Sequence, residues 1–273
     1  MSLLEVKNLH TYFTTKKGIV KAVNDVTYSL DEGKTLGIVG ESGSGKSVSA
    51  MSIIKLLDGN GYIESGEITF NGRDILKATD KDMYHIRGNE ISVIFQEPMT
   101  SLNPVFTVER QIGEVLQIHQ KLSKKEARAK VASLLADVKI PNPERVAKQY
   151  PFQLSGGMRQ RAALIRTLAV KPDIFLLDEA FSALDYQTRL AVTDDVRRIL
   201  KLEQKTTLMV THDISESISM SDRIIVLSKR PAHISRIMEI RFADPELTPL
   251  QRREQHQFQE YFNTIWKELD VHV

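Results

Sequence analysis

A chain of 273 residues, 41% hydrophobic and 26% charged, is long enough to bury a full core and has the make-up of an ordinary globular protein. Its formal net charge of +2 is too small to imply nucleic acid as a partner, because polyanion binders carry a concentrated basic surplus. With no cysteine it forms neither disulfides nor thiolate metal sites, which fits a reducing cytoplasm; Met1 to Lys7 shows no secretory signal, and no run approaches the ~18 apolar residues of a membrane span.

Leu3 to Val6, Val20 to Val23 and Val26 to Leu30 are predicted as short strands, with Lys16, Lys17 and Gly18 turning a hairpin, so a small β layer comes first. Tyr12 and Phe13 stand just before that turn, either as half-buried strand packing or as a platform for a flat ring. Thr35 to Val39 is an apolar strand and Val48 to Leu57 suits a helix. Between them Gly40 to Ser47 reads Gly-Glu-Ser-Gly-Ser-Gly-Lys-Ser and fills every fixed position of the phosphate-binding loop G-x-x-x-x-G-K-[ST]. Gly40, Gly43 and Gly45 let the backbone curl until successive N–H groups, Ser42 and Ser44 included, face phosphate oxygens. Lys46 then reaches the β- and γ-phosphates, and the Ser47 hydroxyl ligates Mg²⁺ at a helix start.

Ile68 to Phe70 is the next strand, followed by the turn Asn71-Gly72, a short helix over Asp80 to Arg87 capped by Thr79 or Asp80, and a buried strand Ile91 to Phe95 ending at Gln96. From Glu97 to Gln149 the period becomes helical, with Val108, Ile112, Val115, Leu116 and His119 on one face and a second stripe from Ala127 to Val138. This predicts an inserted helical subdomain, broken by Pro141 and Pro143, in which Lys121, Lys124, Lys125, Arg128 and Lys130 form a solvated face. Leu154 to Gln160 is a second glycine-containing turn ahead of a helix from Ala162 to Val170. Ile174 to Leu177, Thr207 to Val210 and Ile224 to Leu227 are buried strands, separated by helical Gln187 to Leu202 and Ser215 to Ser221. Such alternation implies a mostly parallel sheet covered on both faces. In the tail, Phe258, Tyr261, Phe262, Ile265, Trp266 and Leu269 make one apolar stripe, which either docks on its own domain or meets a partner or membrane surface.

Four apolar strand residues, Ile174 to Leu177, end in Asp178-Glu179. In a phosphoryl-transfer site the first acid holds the Mg²⁺ shell and the second orients and deprotonates water. His212 ends another buried strand, within reach of a γ-phosphate; the other six histidines show no metal-ligand spacing.

Together, the loop 40–47, Gln96, Leu154-Ser155-Gly156-Gly157-Met158-Arg159-Gln160, Ile174 to Glu179, Ser182-Ala183-Leu184-Asp185 and His212 resemble, in order and spacing, the ATP-binding cassette family. The resemblance covers about residues 1 to 230. It implies an α/β fold with a RecA-like phosphate-loop core, an N-terminal antiparallel β layer and an inserted helical subdomain: core 1–96 and 155–230, helical 97–154, tail 231–273. It implies ATP and Mg²⁺ as ligands, with Phe13, or Tyr12 as second choice, stacking on adenine. Gly40, Ser42, Gly43, Ser44, Gly45, Lys46 and Ser47 would cradle phosphate, and Ser47, Gln96 and Asp178 would serve the metal. Glu179 matches the catalytic base and His212 the γ-phosphate switch. Ser155, Gly156 and Gly157 would meet the γ-phosphate of a second ATPase subunit paired head to tail, with Asp185 at that contact.

The implied function is the ATPase of an importer, on the inner face of the membrane, driving permease subunits and served indirectly by an extracytoplasmic solute-binding protein. A soluble cassette of DNA repair or translation is the alternative, disfavoured because there is no long coiled-coil insertion and no second cassette. Up to about residue 160 the chain resembles oligopeptide and dipeptide importer ATPases, through Phe95 to Pro104 and Tyr150 to Arg161. Beyond it, Ala180-Phe181-Ser182, Thr206 to His212 and Ser228-Lys229-Arg230-Pro231 look like nitrate, sulfonate and taurine importer ATPases, which raises a chimera of the two.

Overall fold

The computed structural model describes residues 2–95 and 102–270. In chain order the strands are β1 (Ser2–Thr15), β2 (Gly18–Asp31), β3 (Thr35–Val39), β4 (Gly61–Phe70), β5 (Arg73–Asp74), β6 (Ile91–Ile94), β7 (Ile174–Asp178), β8 (Thr206–Thr211), β9 (Arg223–Leu227) and β10 (Ile234–Glu239). They form an antiparallel sheet ordered β2-β1-β4-β5 and a second sheet ordered β10-β9-β3-β8-β7-β6, in which only the edge strand β10 is antiparallel. The expected β layer and the mostly parallel sheet are both present.

β3 is buried at every residue, as its unbroken apolar run requires of a strand covered on both faces. Its register sets Val39 opposite Thr211 of β8 and Val226 of β9, and β8 sets Val210 opposite Asp178 of β7. Three carboxyl ends are therefore level. The loop after Val39, the acids after Leu177 and the residues after Thr211 all leave the same edge of the sheet, where open α/β sheets hold their ligands.

The first sheet differs from expectation at Val23 to Val26. The polar pair Asn24-Asp25 reads as a break between two strands, yet β2 is continuous: Asp25 takes a left-handed φ of 61° beside Asn8 at 47°, and the Asn8 amide donates to Asp25 Oδ1 at 2.8 Å. The irregularity is absorbed as register shifts against β1 rather than as a turn. Asn71 and Gly72, at φ 49° and 74°, turn β4 into β5 as predicted.

Helix α1 (Lys46–Ile53) follows the loop, and α2 (Asp80–Ile86) is capped by the Thr79 hydroxyl in a reciprocal pair with Asp82. The helical region holds α3 (Val108–Gln120), α4 (Lys124–Asp137) and α5 (Pro143–Ala147), whose apolar faces join one cluster with Ile94, Leu164 and Phe175. The lysine-rich face of α4 is exposed. α6 (Gly156–Leu168) begins at Gly156 and not at Ala162, because Ser155 accepts from the Met158 N–H at 3.3 Å and makes the two glycines its first turn. α7 (Tyr186–Leu202) and α8 (Ile214–Met220) match their predicted runs. In the tail, α9 (Pro249–Arg253) and α10 (His256–Asp270) dock on the chain's own domain: Phe258 and Ile265 are buried against Val39, Ile214, Ile218 and Val226. Trp266 stays half exposed, stacked on Phe262 at 6.0 Å. No helix among the described residues is long and apolar enough to cross a membrane.

Candidate nucleotide site

Gly43 and Gly45 hold φ of 78° and 86°, a region closed to most side chains. Space is equally restrictive. A Cβ on Gly45 would stand 2.4 Å from the Ala22 carbonyl oxygen, and one on Gly40 would stand 2.7 Å from Ser44 Oγ. The loop is thus wedged between β2, the end of β9 and Ala232. Lys46, only 4% exposed, donates to the carbonyls of Gly40 and Glu41 at 2.9 and 2.7 Å. Burial holds its ammonium below the usual range, against the pull of Glu179, Asp178 and Glu41. The buried Ser44 hydroxyl has no partner among the described residues. A buried cation bonded only to carbonyls and an orphan hydroxyl, inside a glycine cradle, fit a polyphosphate.

Ser47 Oγ donates to Asp178 Oδ1 at 2.7 Å, so a hydroxyl and a carboxylate share one point at the start of α1. Burial pushes the Asp178 carboxyl up, while the Ser47 bond opposes that shift. Hard oxygen donors, one of them anionic, suit Mg²⁺ carried on a phosphate. Glu179 follows at φ 48°, its N–H donating to the Val210 carbonyl at 2.8 Å and its own carbonyl accepting from the Ser182 hydroxyl at 2.8 Å. Its carboxylate Oε2 lies 3.2 Å from His212 Nδ1. The loop, both acids and His212 are therefore brought together. Gln96 lies outside the described residues.

Phe13 sits in β1 opposite Val20 and Gly61, and its ring covers Gly61 so closely that a Cβ there would approach it at 2.7 Å. Tyr12 points to the other face, with Lys21 5.4 Å over its ring and Tyr62 edge-on. Ser155 and Gly156 are exposed at the start of α6, whereas Gly157 is packed: a Cβ there would meet Thr188 at 2.6 Å. Asp185, also exposed, caps α7 by accepting from the Thr188 N–H at 3.0 Å, and this bond holds its carboxyl below the usual range.

Two groups of residues escape sequence reasoning. Arg189 of α7 donates to the Leu184 carbonyl at 2.9 Å and to Asp213 Oδ2 at 3.3 Å, bracing the segment that holds Asp185 against the residue after His212. Glu216 is buried beside Thr211 and Asp213, and burial pushes its carboxyl up to about 7. Neither pairing leaves a spacing signal, because each joins residues from separate elements. The second group flanks the loop: Lys229 lies 3.6 Å from Glu41, and the Arg230 guanidinium lies 3.7 Å from where a Cβ on Gly43 would stand. Arg230 is exposed, so a charge beside the glycine cradle is available to phosphate. Arg230→Ala is expected to weaken ATP binding about threefold to tenfold, read by titration of a fluorescent ATP analogue; unchanged affinity would remove Arg230 from the site.

The sequence model of ABC transporter proteins matches residues 23–182. The dipeptide transport ATP-binding protein DppD of Bacillus subtilis is 44% identical over 226 residues, covering 82% of this chain and 68% of that one. OppD of the same organism, an oligopeptide transport ATP-binding protein, is 43% identical over 82% of this chain and 63% of its own, so the chain spans about two thirds of these relatives' lengths. Among solved structures, a dimeric post-hydrolysis state of the ATP-binding cassette MJ0796 bound to ADP and Pi superposes with a TM-score of 0.74 at 28% identity, covering 88% of this chain and 99% of that one. The chain belongs to the ABC transporter family and is an ATPase cassette of it, binding ATP with Mg²⁺.

Proposed function

We propose that this chain is the ATP-hydrolysing subunit of a peptide importer, closing head to tail on a second ATPase subunit and driving membrane permease subunits. One observation carries the pairing: Lys46, Ser47, Asp178, Glu179 and His212 converge at one sheet edge, while Ser155, Gly156 and Asp185 face solvent. A helix start with exposed N–H groups is an anion site, and its phosphate comes from the neighbouring chain. The peptide class rests on DppD and OppD, whose names specify dipeptide and oligopeptide transport. Their likeness runs over 82% of the chain, past residue 160, so the nitrate-, sulfonate- and taurine-like stretches beyond it make the chimera a finer proposal. Full-length chains in genomes carrying both halves together would remove an engineered origin. The division into core 1–96 and 155–230, helical part 97–154 and tail 231–273 belongs to the same proposal, as does indirect service by a solute-binding protein.

In this reading the glycine loop binds the triphosphate, Lys46 neutralises its terminal oxygens and Phe13 flanks the adenine. Ser47 and Asp178, with Gln96, would hold Mg²⁺, which would supply charge neutralisation on the phosphates. Glu179 orients the attacking water and takes its proton. His212, 3.2 Å away, keeps the Glu179 carboxylate aimed and meets the γ-phosphate.

Complementation tests the shared site. Lys46→Ala spoils the phosphate loop and Ser155→Arg the signature, and each variant alone is expected to be inactive. Mixed, they form dimers with one intact composite site and regain about a quarter of wild-type turnover. A mixture as dead as its components would sink the pairing.

A further inference from the structure

On the far side of the chain from the phosphate loop's glycines, the segment 240–246 folds back towards α9 and encloses, with Gly33 to Thr35, α7 and the turn before β9, a cavity of about 410 Å³. That volume suits a small organic ligand. Its lining is strongly cationic: Arg197, Arg252, Lys201, Lys205, Lys34 and Arg241 face the carboxylates of Asp222 and Glu246.

Part of this charge is already engaged. Lys201 donates to Glu246 at 2.7 Å, and Asp222 accepts from the Thr35 N–H at 2.8 Å. The two arginines at the base differ from the rim, being 8% and 4% exposed. Arg197 donates to the Met220 carbonyl, and Arg252 donates to the carbonyls of Ser219 and Ser221 at 3.3 and 3.0 Å. These bonds cap the end of α8 but leave Arg252 Nε buried and without a partner among the described residues. Asp222 lies 3.7 Å from Arg197, and Phe242 lies 5.0 Å beneath the Arg252 guanidinium. With Asp222 beside both buried guanidiniums and Glu246 already engaged by Lys201, the six cationic side chains of the lining outnumber its carboxylates, a positive centre that is costly to bury unless an anion joins it.

We propose that this cavity binds a small phosphate-bearing molecule, its phosphate on Arg252 and Arg197 and its apolar body against Phe242 and Leu200. The guanidinium fork matches a phosphate's oxygens, and the cavity exceeds what a bare phosphate fills. The site stands apart from the nucleotide reading and does not depend on it.

Calorimetry tests this on the full chain with a saturating non-hydrolysable ATP analogue and Mg²⁺, which fill the glycine loop through the γ-phosphate position and keep other phosphates off it; a separate ADP titration reports on the nucleotide site. Inorganic phosphate and phenyl phosphate are the probes. One saturable site per chain is expected, with phenyl phosphate about tenfold tighter through its contact with Phe242. Arg252→Met is expected to weaken phenyl phosphate about tenfold or more and leave ADP affinity unchanged. Because Arg252 also holds the end of α8, the exposed double variant Lys34→Gln, Arg241→Gln provides a second reading, with an expected loss of up to about fivefold. Absence of saturable binding, or equal affinity in wild type and both variants, would overturn the proposal. Failure of ADP alone to bind would count against the nucleotide site and not against the cavity.

Discussion

Glu179→Gln is expected to lower ATP turnover by about 10²–10⁴-fold while ATP affinity stays within about twofold. Glutamine keeps the shape and can still accept a hydrogen bond, but it cannot take a proton from water. The surroundings are built to hold that one carboxylate still. A non-glycine residue at φ 48° stores of order 1–3 kcal/mol of strain, and here the backbone is pinned on both sides by Val210 and Ser182. The side chain then meets His212 at 3.2 Å. Because the variant binds ATP without consuming it, a dimer trapped by ATP should accumulate, visible as a doubled mass in light scattering. Turnover near the wild-type rate would show that another group takes the proton and would leave Glu179 a structural role.

The second large effect concerns pH. Glu216 titrates near 4.5 in the unfolded chain and about 7 in the folded one, mainly because it is buried, with Asp213 adding to the rise and Arg189 and Arg253 opposing it. The folded state therefore holds more protons than the unfolded state between those values. Its stabilising contribution is fully present below about pH 4.5 and is lost as pH rises through about 7, a change of about 3 kcal/mol. Glu216→Gln removes this dependence. Urea unfolding at pH 5 and pH 8 should show a smaller stability loss across the interval in the variant than in wild type, with the variant the more stable at pH 8. Identical slopes would mean that Glu216 is not the group responsible. Asp178, whose carboxyl is also pushed up by burial, contributes equally to both proteins and drops out of the comparison.

Most of the candidate nucleotide site's layout is legible in the sequence because its determinants are local. A loop that must curl around phosphate needs glycine where φ is positive, and Gly43 and Gly45 stand there. A buried strand that ends in acids declares itself by contrast, as Leu177 followed by Asp178 does. Two local signals misled. Glycines are poor helix formers, so propensity alone sets the start of α6 beyond Gly156 and Gly157; the Ser155 cap and the packing of Gly157 on Thr188 override that preference. Asn24 and Asp25 have turn chemistry, but Asn8, distant in sequence, bonds Asp25 and keeps the strand running. What could not be read was pairwise and remote: Arg189 with Asp213, Lys229 with Glu41, and Arg252 under the end of α8. Each partner alone is an ordinary charged residue, and only the folded topology brings them together.

The contact of Gly157 with Thr188 has a mechanical consequence. With no clearance between them, the first turn of α6 cannot roll independently of α7. α7 in turn carries Arg189, which grips the carbonyl of Leu184 on one side and Asp213 on the other. In the proposed head-to-tail pair, a push delivered at Ser155 by a neighbouring molecule's phosphate would be transmitted through this linkage to the loop that carries His212. The spacing of that linkage, set by a missing methyl group, would determine how faithfully one catalytic centre reports its occupancy to the other.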